Sequence, residues 1–283
     1  VITPELLRGI HKGYLQYLDD GGDRVHVDLP KGDRRHGEKR ARASRLGVCP
    51  IASAYDRLGT EPTHPHLLPH NNYALLNMFR EGNMVAELWQ EALTWTANAS
   101  TLVEGAQHEV SFESDKVVGR ADSVITTCGG KSLVEFKRTD AWKINPKWAF
   151  QCAAYMRMSG INSGFLVMQN RTGDNIYTFR HERGAAIFQH EYRDEIATVS
   201  DEELDEEIER QNRAVVELPE PEFRPGECCS EKADKAYPTD RKLGAIHVNC
   251  PYFGHCWHCS GDVYTTSFKE DGVLVFGQGE SVL

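Results

Sequence analysis

Val117-Val118-Gly119-Arg120-Ala121-Asp122-Ser123-Val124-Ile125 and, after a Cys128-Gly129-Gly130 turn signal, Ser132-Leu133-Val134-Glu135-Phe136-Lys137-Arg138 form the stretch that decides the fold. Both runs are rich in β-branched residues and read as neighbouring strands. Strand alternation puts Glu135 and Lys137 on one face and turns Phe136 to the other. A charged pair straddling a bulky apolar residue suits a strand at the rim of a buried sheet. A hairpin would bring the Asp122 carboxylate beside Glu135. Two hard oxygen ligands with water make a site for magnesium or manganese, and such an ion polarises a phosphate and acidifies a bound water. Lys137 could then orient that water or neutralise charge growing on the phosphate. Taken alone, an Asp on one strand and a Glu-x-Lys on the next also describe a surface ion pair.

Outward from this hairpin, Asn145-Pro146 opens a helix that ends at Gly160, with a capping residue and a proline at its start and a glycine at its stop. Gln151 and Tyr155, four apart, share one of its faces. Upstream, Gln107 to Glu113 is another strand-like run. Leu75, Phe79, Val85, Leu88, Trp89 and Leu93 mark a long amphipathic helix from Tyr73 to about Trp95, interrupted near Gly82. Thr3-Pro4-Glu5 starts an N-terminal helix. Downstream, residues 163–169 and 174–180 read as two strands, followed by two polar helices at about 182–198 and 201–216. Residues 20–43 read as a charged, Gly-rich loop, and the proline-rich 60–70 stretch as another, its three histidines being loop residues rather than ligands. This order implies an α/β protein with a central mixed β-sheet flanked by helices.

The 283 residues carry a formal charge of -10, which on its face disfavours a nucleic-acid partner. The charge is uneven, however. Lys31, Arg34, Arg35, Lys39, Arg40, Arg42 and Arg45 form a basic run, whereas acid concentrates in Asp201-Glu202-Glu203-Leu204-Asp205-Glu206-Glu207-Ile208-Glu209. Phosphate contacts depend on the local field, so the basic run keeps nucleic acid in play; read blandly, it is a solvated loop. No run approaches the about 18 apolar residues of a membrane span, and no basic-then-apolar leader opens the sequence, which begins at Val1. The expectation is a cytoplasmic protein, and in that setting clustered Cys and His point to a metal rather than to disulfides.

Gly119-x-x-Asp122, then Glu135-x-Lys137, then Gln151-x-x-x-Tyr155 resembles the motif series of RecB-like nucleases of the PD-(D/E)XK superfamily, over residues from about 44 to 160. The resemblance implies a restriction-endonuclease-like core. It also implies that Asp122 and Glu135, with the Phe136 backbone carbonyl, hold Mg2+ or Mn2+, that Lys137 assists catalysis, and that Gln151, Tyr155 and Arg120 contact DNA. One departure stands out. The family commonly carries a metal-binding His on the upstream helix, in a pattern like Gly-x-x-Val-His, and here Gly82-Asn83-Met84-Val85-Ala86-Glu87 has alanine in that place.

The C-terminal segment His247-Val248-Asn249-Cys250-Pro251-Tyr252-Phe253-Gly254-His255-Cys256-Trp257-His258-Cys259 extends the resemblance to the iron-sulfur members of this family, including CRISPR-associated exonucleases. These place one Cys before the core and three after it. Cys49 matches the leading position, and His247, Cys250 and Cys256 match the trailing three, with Cys259 as an alternate to His247. Four thiolates suit a 4Fe-4S cluster, and a Cys3His set suits structural Zn2+. The resemblance favours the cluster. Cys128 and Cys152 read as packing residues.

These readings divide the chain into an N-terminal helical segment with the basic loop and first cluster ligand (1–58), a nuclease core (59–218) and a Cys/His module (219–283) that joins the two ends. The function they imply is a metal-dependent DNA exonuclease acting at free, single-stranded ends in recombination, repair, CRISPR or phage DNA processing, in a bacterial or phage-infected cell and with partner proteins from those pathways. The alternatives are a catalytically weakened DNA-binding subunit, which Ala86 supports, and a sequence-specific endonuclease on the same core.

Overall fold

The computed structural model describes residues 2–27, 39–48, 50–61, 73–140, 143–170, 172–194 and 196–217, and the backbone of two further strands. In chain order the elements are α1 (Pro4–Asp19), β1 (Ala41–Arg42), α2 (Pro50–Leu58), α3 (Tyr73–Ala99), β2 (Gly105–Glu113), β3 (Val117–Thr127) and β4 (Gly130–Arg138). After these come α4 (Pro146–Ser159), β5 (Ser163–Gln169), β6 (Asp174–Glu182), β7 (Ala185–His190), β8 (Ile196–Ser200), α5 (Asp201–Val216), β9 (Tyr264–Phe268) and β10 (Leu274–Gln278). The chain divides into two units. One comprises Val1–Arg34, Arg40–Val48 and Met78–Arg210; the other comprises Arg35–Lys39, Cys49–Asn77 and Gln211–Leu283.

The first unit is built on an eight-stranded mixed sheet in the order β1-β3-β4-β5-β6-β7-β8, with β2 also paired to β3. β4 and β5 run parallel, joined through α4, and β1 is parallel to β3; the other pairs are antiparallel. A parallel pair needs a crossover, and α4 supplies it. Asn145 caps α4 by accepting from the Lys147 N–H at 3.1 Å, Pro146 sets its first turn, and Gly160 ends it in the left-handed region at φ 70°. One sheet face packs Val124, Leu133, Leu166, Tyr177 and Phe188 against α4 and against Leu204 and Ile208 of α5. The other packs Ile125, Val134, Phe136, Val167 and Ile176 against Leu7, Ile10 and Tyr14 of α1 and Trp89 and Leu93 of α3. The mixed sheet flanked by helices is the architecture that the sequence order implies.

Three local expectations need correction. Residues 182–198 form β7 and β8 rather than a polar helix: Ala186, Phe188 and His190 are buried and alternate with more exposed neighbours, and Gly184 turns the chain at φ 78°. α3 runs unbroken through Gly82, where a Cβ would meet Arg138 Cβ at 3.9 Å in ordinary contact. Cys128 is exposed in the β3–β4 turn, while Cys152 is buried as expected. The helix expected at about 201–216 forms as α5, and the acidic run starts it. Ser200 and Glu203 exchange hydrogen bonds of 2.8 and 3.1 Å as a capping box that starts α5, and Asp201, Glu202 and Glu203 fill its first turn, where the helix dipole favours negative charge.

In the second unit, buried Arg57 of α2 donates to the Gln211 carbonyl at 2.8 Å and to the Asn212 side chain at 3.1 Å. β9 and β10 pair antiparallel from Leu274↔Phe268 to Gln278↔Tyr264. Cys49, His247, Cys250, Cys256 and Cys259, as well as Lys31, Arg34 and Arg35, lie outside the described residues.

Candidate active site

The site forms where the sheet forks. β3 and β4 pair from Thr127↔Gly130 up to Ser123↔Val134 and then part. Further along β3, Val118 pairs with Glu113 on one side and with Arg42 of β1 on the other, so β1 takes the edge that β4 has left. Asp122 and Glu135 are the first residues past the end of the β3–β4 ladder, and their carboxylates fill the gap. Asp122 Oδ2 accepts from the Phe136 N–H at 2.7 Å, and Glu135 Oε2 accepts from the Asp122 N–H at 3.4 Å. Side chains thus satisfy backbone donors that a continued ladder would have used.

Alternation along β4 delivers Glu135 and Lys137 to the α4 face and Phe136 to the opposite core, as the sequence predicts. Lys137 Nζ donates to Glu135 Oε1. Gln151 Nε2 donates to the same oxygen at 2.8 Å and to the Tyr155 hydroxyl at 2.7 Å, and that hydroxyl donates to the Arg120 carbonyl at 2.6 Å. Gln151 and Tyr155 are buried, so in this structure both side chains are engaged inside the protein. Gly119 permits this arrangement, since a Cβ there would lie 2.6 Å from Tyr155 Cε1 and 2.8 Å from Ala43 Cβ.

The electrostatics follow from burial. Glu135 is 2% exposed; burial and then the neighbouring Asp122 charge push its carboxyl up to about 7. Burial likewise raises Asp122, against the opposing pull of Lys137 and the Phe136 N–H. Lys137 goes the other way. Burial disfavours its charge, but Glu135 and Asp122 outweigh that and raise its pKa. Burial, then Glu135, raises the Cys152 thiol well above its usual range, and burial does the same to the Tyr155 phenol. Two carboxylates thus share one ammonium in a water-poor pocket, and the surplus negative charge is what a divalent cation would neutralise. The oxygen donors are of the kind that Mg2+ or Mn2+ takes. Among the described residues no three Asp, Glu, His or Cys side chains gather closely enough to hold an ion by themselves, so backbone, water or substrate oxygens would complete the coordination.

Two residues not singled out in the sequence belong to this neighbourhood. Gln90 of α3 donates to the Asp122 carbonyl at 3.0 Å; Ala86, one turn earlier, packs on the apolar cluster beneath the sheet. Glu109 of β2 lies opposite Asp122, accepts from Gln90, and pairs with Arg120 Nε at 2.5 Å. Burial, then the Asp122 charge, raises its carboxyl. No periodic pattern marks either residue. Gln90 also lines a cavity of about 510 Å³ together with Arg24, His26, Glu87 and Glu91. There Glu91 accepts from the Tyr14 hydroxyl at 2.8 Å and from Arg24 Nε at 3.1 Å.

Fold and site together define a mixed α/β protein with a buried carboxylate pair and a lysine at a fork of its central sheet. No protein-family model matches the chain, and no curated protein matches it. Among solved structures it is similar to the crystal structure of SSO0001, with a TM-score of 0.39 and 14% identity over 77% of this chain and 86% of that one. It is also similar to an alkaline exonuclease (LHK-Exo) from Laribacter hongkongensis, with a TM-score of 0.35 and 14% identity over 65% of this chain and 88% of that one. Likenesses at this level fix neither family nor activity.

Proposed function

We propose that this chain is a metal-dependent nuclease that hydrolyses phosphodiester bonds at DNA ends. The observation that carries the reading is the Asp122–Glu135–Lys137 cluster, with two carboxylates and one ammonium from adjacent strands meeting where the ladder opens. Asp122, Glu135 and the Phe136 carbonyl are the ligands proposed for Mg2+ or Mn2+. Such an ion supplies polarisation of the phosphate and a water of lowered pKa. The protein's own groups do the rest. Lys137, held beside Glu135, would donate hydrogen bonds to a phosphate oxygen or to the attacking water. Gln151 fixes the Glu135 carboxylate from below, and Tyr155 fixes the main chain at Arg120, whose guanidinium is 40% exposed and available to a phosphate. Through these bonds Gln151 and Tyr155 shape the DNA-binding surface from inside.

The test is cleavage of end-labelled linear DNA, single- and double-stranded, in Mn2+ and Mg2+, with circular DNA alongside. Cleavage of linear DNA that Asp122→Asn and Glu135→Gln both abolish supports the reading; cleavage that survives either change refutes it. Circular DNA that is cut as fast as linear would favour the endonuclease. A second reading, a DNA-binding subunit that cuts weakly, is favoured by one observation: α3 meets the site with Gln90, which donates to the Asp122 carbonyl, while Ala86 packs beneath the sheet, so neither residue brings a carboxylate or an imidazole to it. Binding of DNA ends without cleavage in either metal would select it.

The Cys49, His247, Cys250 and Cys256 set, with Cys259 as alternate, is proposed to hold a 4Fe-4S cluster, with Zn2+ as the other candidate. A visible absorption band in anaerobically purified protein selects iron and sulfur, and colourless protein with stoichiometric zinc selects the alternative. Among the described residues no helix is long and apolar enough to cross a membrane.

A further inference from the structure

Along β2, Ala106 and His108 face α3, His108 through a 2.8 Å contact to Thr94, yet Val110 and Phe112 face α4, Phe112 packing on the Tyr155 ring at 6.4 Å. Residues 108 and 110 should share a face in a regular strand. β3 does the same thing at the same level: Ile125 and Ser123 face α3, while Ala121 and Gly119 face α4. The ladder nevertheless keeps its register, pairing His108↔Ser123 and then Val110↔Ala121, and the single pair left out is Glu109 opposite Asp122. Both strands therefore roll over at one shared point. Glu109 takes up the roll at φ 52°, a left-handed conformation that costs a residue with a side chain about 1–2 kcal/mol. Strain of this kind persists where the surroundings enforce it, and it gathers at functional sites. At this point the Glu109 carboxylate, 20% exposed, reaches Arg120 Nε and accepts from Gln90, the same side chain that holds the Asp122 carbonyl.

We propose that Glu109 is a positioning residue of the Asp122–Glu135–Lys137 site: it holds the Arg120 guanidinium beside Asp122, so that Arg120 and Lys137 together receive a DNA phosphate. The proposal rests on the nuclease reading and deepens it. Among the described residues Arg120 has no side-chain partner besides Glu109, and only its Nε is used, which leaves its outer nitrogens for a bidentate phosphate contact.

The test is the Kd for a fluorescent single-stranded oligodeoxynucleotide, measured by anisotropy in Ca2+, together with the Tm of each variant. Charge alone predicts that Glu109→Gln tightens binding, because a negative group is removed beside the phosphate. The positioning role predicts the opposite sign, a Kd raised about tenfold, as for a lost charge-assisted contact. Arg120→Ala should raise Kd to a similar extent, and the double variant should be no weaker than Arg120→Ala, since each change removes the same contact. Glu109→Gly should raise Kd likewise while Tm holds or rises, because glycine adopts φ 52° without strain. Additive effects of Glu109→Gln and Arg120→Ala, or a Glu109→Gly variant that loses Tm and keeps its Kd, would overturn the proposal. If Arg120→Ala raises Kd and Glu109→Gln leaves it unchanged or lowers it, Glu109 alone is misassigned. If Asp122→Asn still cleaves DNA, the nuclease reading falls and this proposal with it.

Discussion

Replacing Lys137 by methionine keeps most of the side-chain packing and removes the one ammonium that Asp122 and Glu135 share. Breaking a buried ion pair from one side costs about 3–5 kcal/mol, because the partner charge stays behind. For a chain of this size that is a Tm loss of roughly 6–20 °C. The loss should depend on pH in a defined direction. The Glu135 carboxyl is already raised from 4.5 to about 7, and removing Lys137 raises it further. A carboxyl whose folded pKa lies above its unfolded value favours the folded state below the unfolded pKa, and that contribution fades as pH rises through the folded pKa. The Lys137 ammonium stays charged throughout this range, its pKa being raised above 10.5. The penalty should therefore be small near about pH 5, where the carboxyls can protonate, and full near about pH 9. Mn2+ should offset a large part of it, since an ion at about 100 times its Kd returns about 2.7 kcal/mol by linkage. Thermal melts of both proteins at the two pH values, in EDTA and in Mn2+, read all of this at once. A loss that is equal at both pH values and indifferent to Mn2+ would refute the shared-charge account.

Gly119→Ala should cost about 1–3 kcal/mol by overpacking and should also suppress cleavage, because the new methyl would sit 2.6 Å from Tyr155 Cε1; melts and the linear-DNA assay check the two effects separately. His11 stacks on Trp89 with ring centroids 4.0 Å apart, its Nε2 is buried with no hydrogen-bond partner among the described residues, and burial lowers its pKa to about 4. An imidazole held neutral contributes stability above its unfolded pKa of 6.5 that is lost as pH falls toward 4. His11→Phe should therefore stabilise the protein and move its acid unfolding midpoint downward, as read by circular dichroism against pH. Gln90 bonds to Asp122 and Ala86 packs beneath the sheet, so Gln90→His should tighten Mn2+ binding in calorimetric titration and Ala86→His should not. The reverse order would place the missing ligand at residue 86.

The parts of the fold that were legible in the sequence are those whose signals are local. Asn145-Pro146 and Gly160 bound α4 at both ends because cap chemistry acts within a turn of the residue that supplies it. Glu135-x-Lys137 predicted its own facing because β4 keeps regular alternation and Phe136 has a core to enter. β7 was illegible. Its six residues alternate Ala185, Ile187 and Gln189 with Ala186, Phe188 and His190, so apolar residues fall on both faces and polar ones too, and a short polar helix fits as well. Glu109 and Gln90 were illegible for a different reason. Their placement depends on which residue of another element stands opposite, and the roll in β2 that aims Glu109 leaves no trace in composition or spacing.

The matched roll of β2 and β3 ties the lengths of these two strands together. Deleting Glu109 alone would remove the roll from β2, so Ala106 and His108 would still face α3 by plain alternation but would stand one residue out of step with β3, and the His108↔Ser123 pair with its 2.8 Å bond would be lost. Deleting a residue at Asp122 alone would do the mirror-image damage. Related sequences that gain or lose a residue in this hairpin should do so in both strands together, as a coupled insertion or deletion at facing positions.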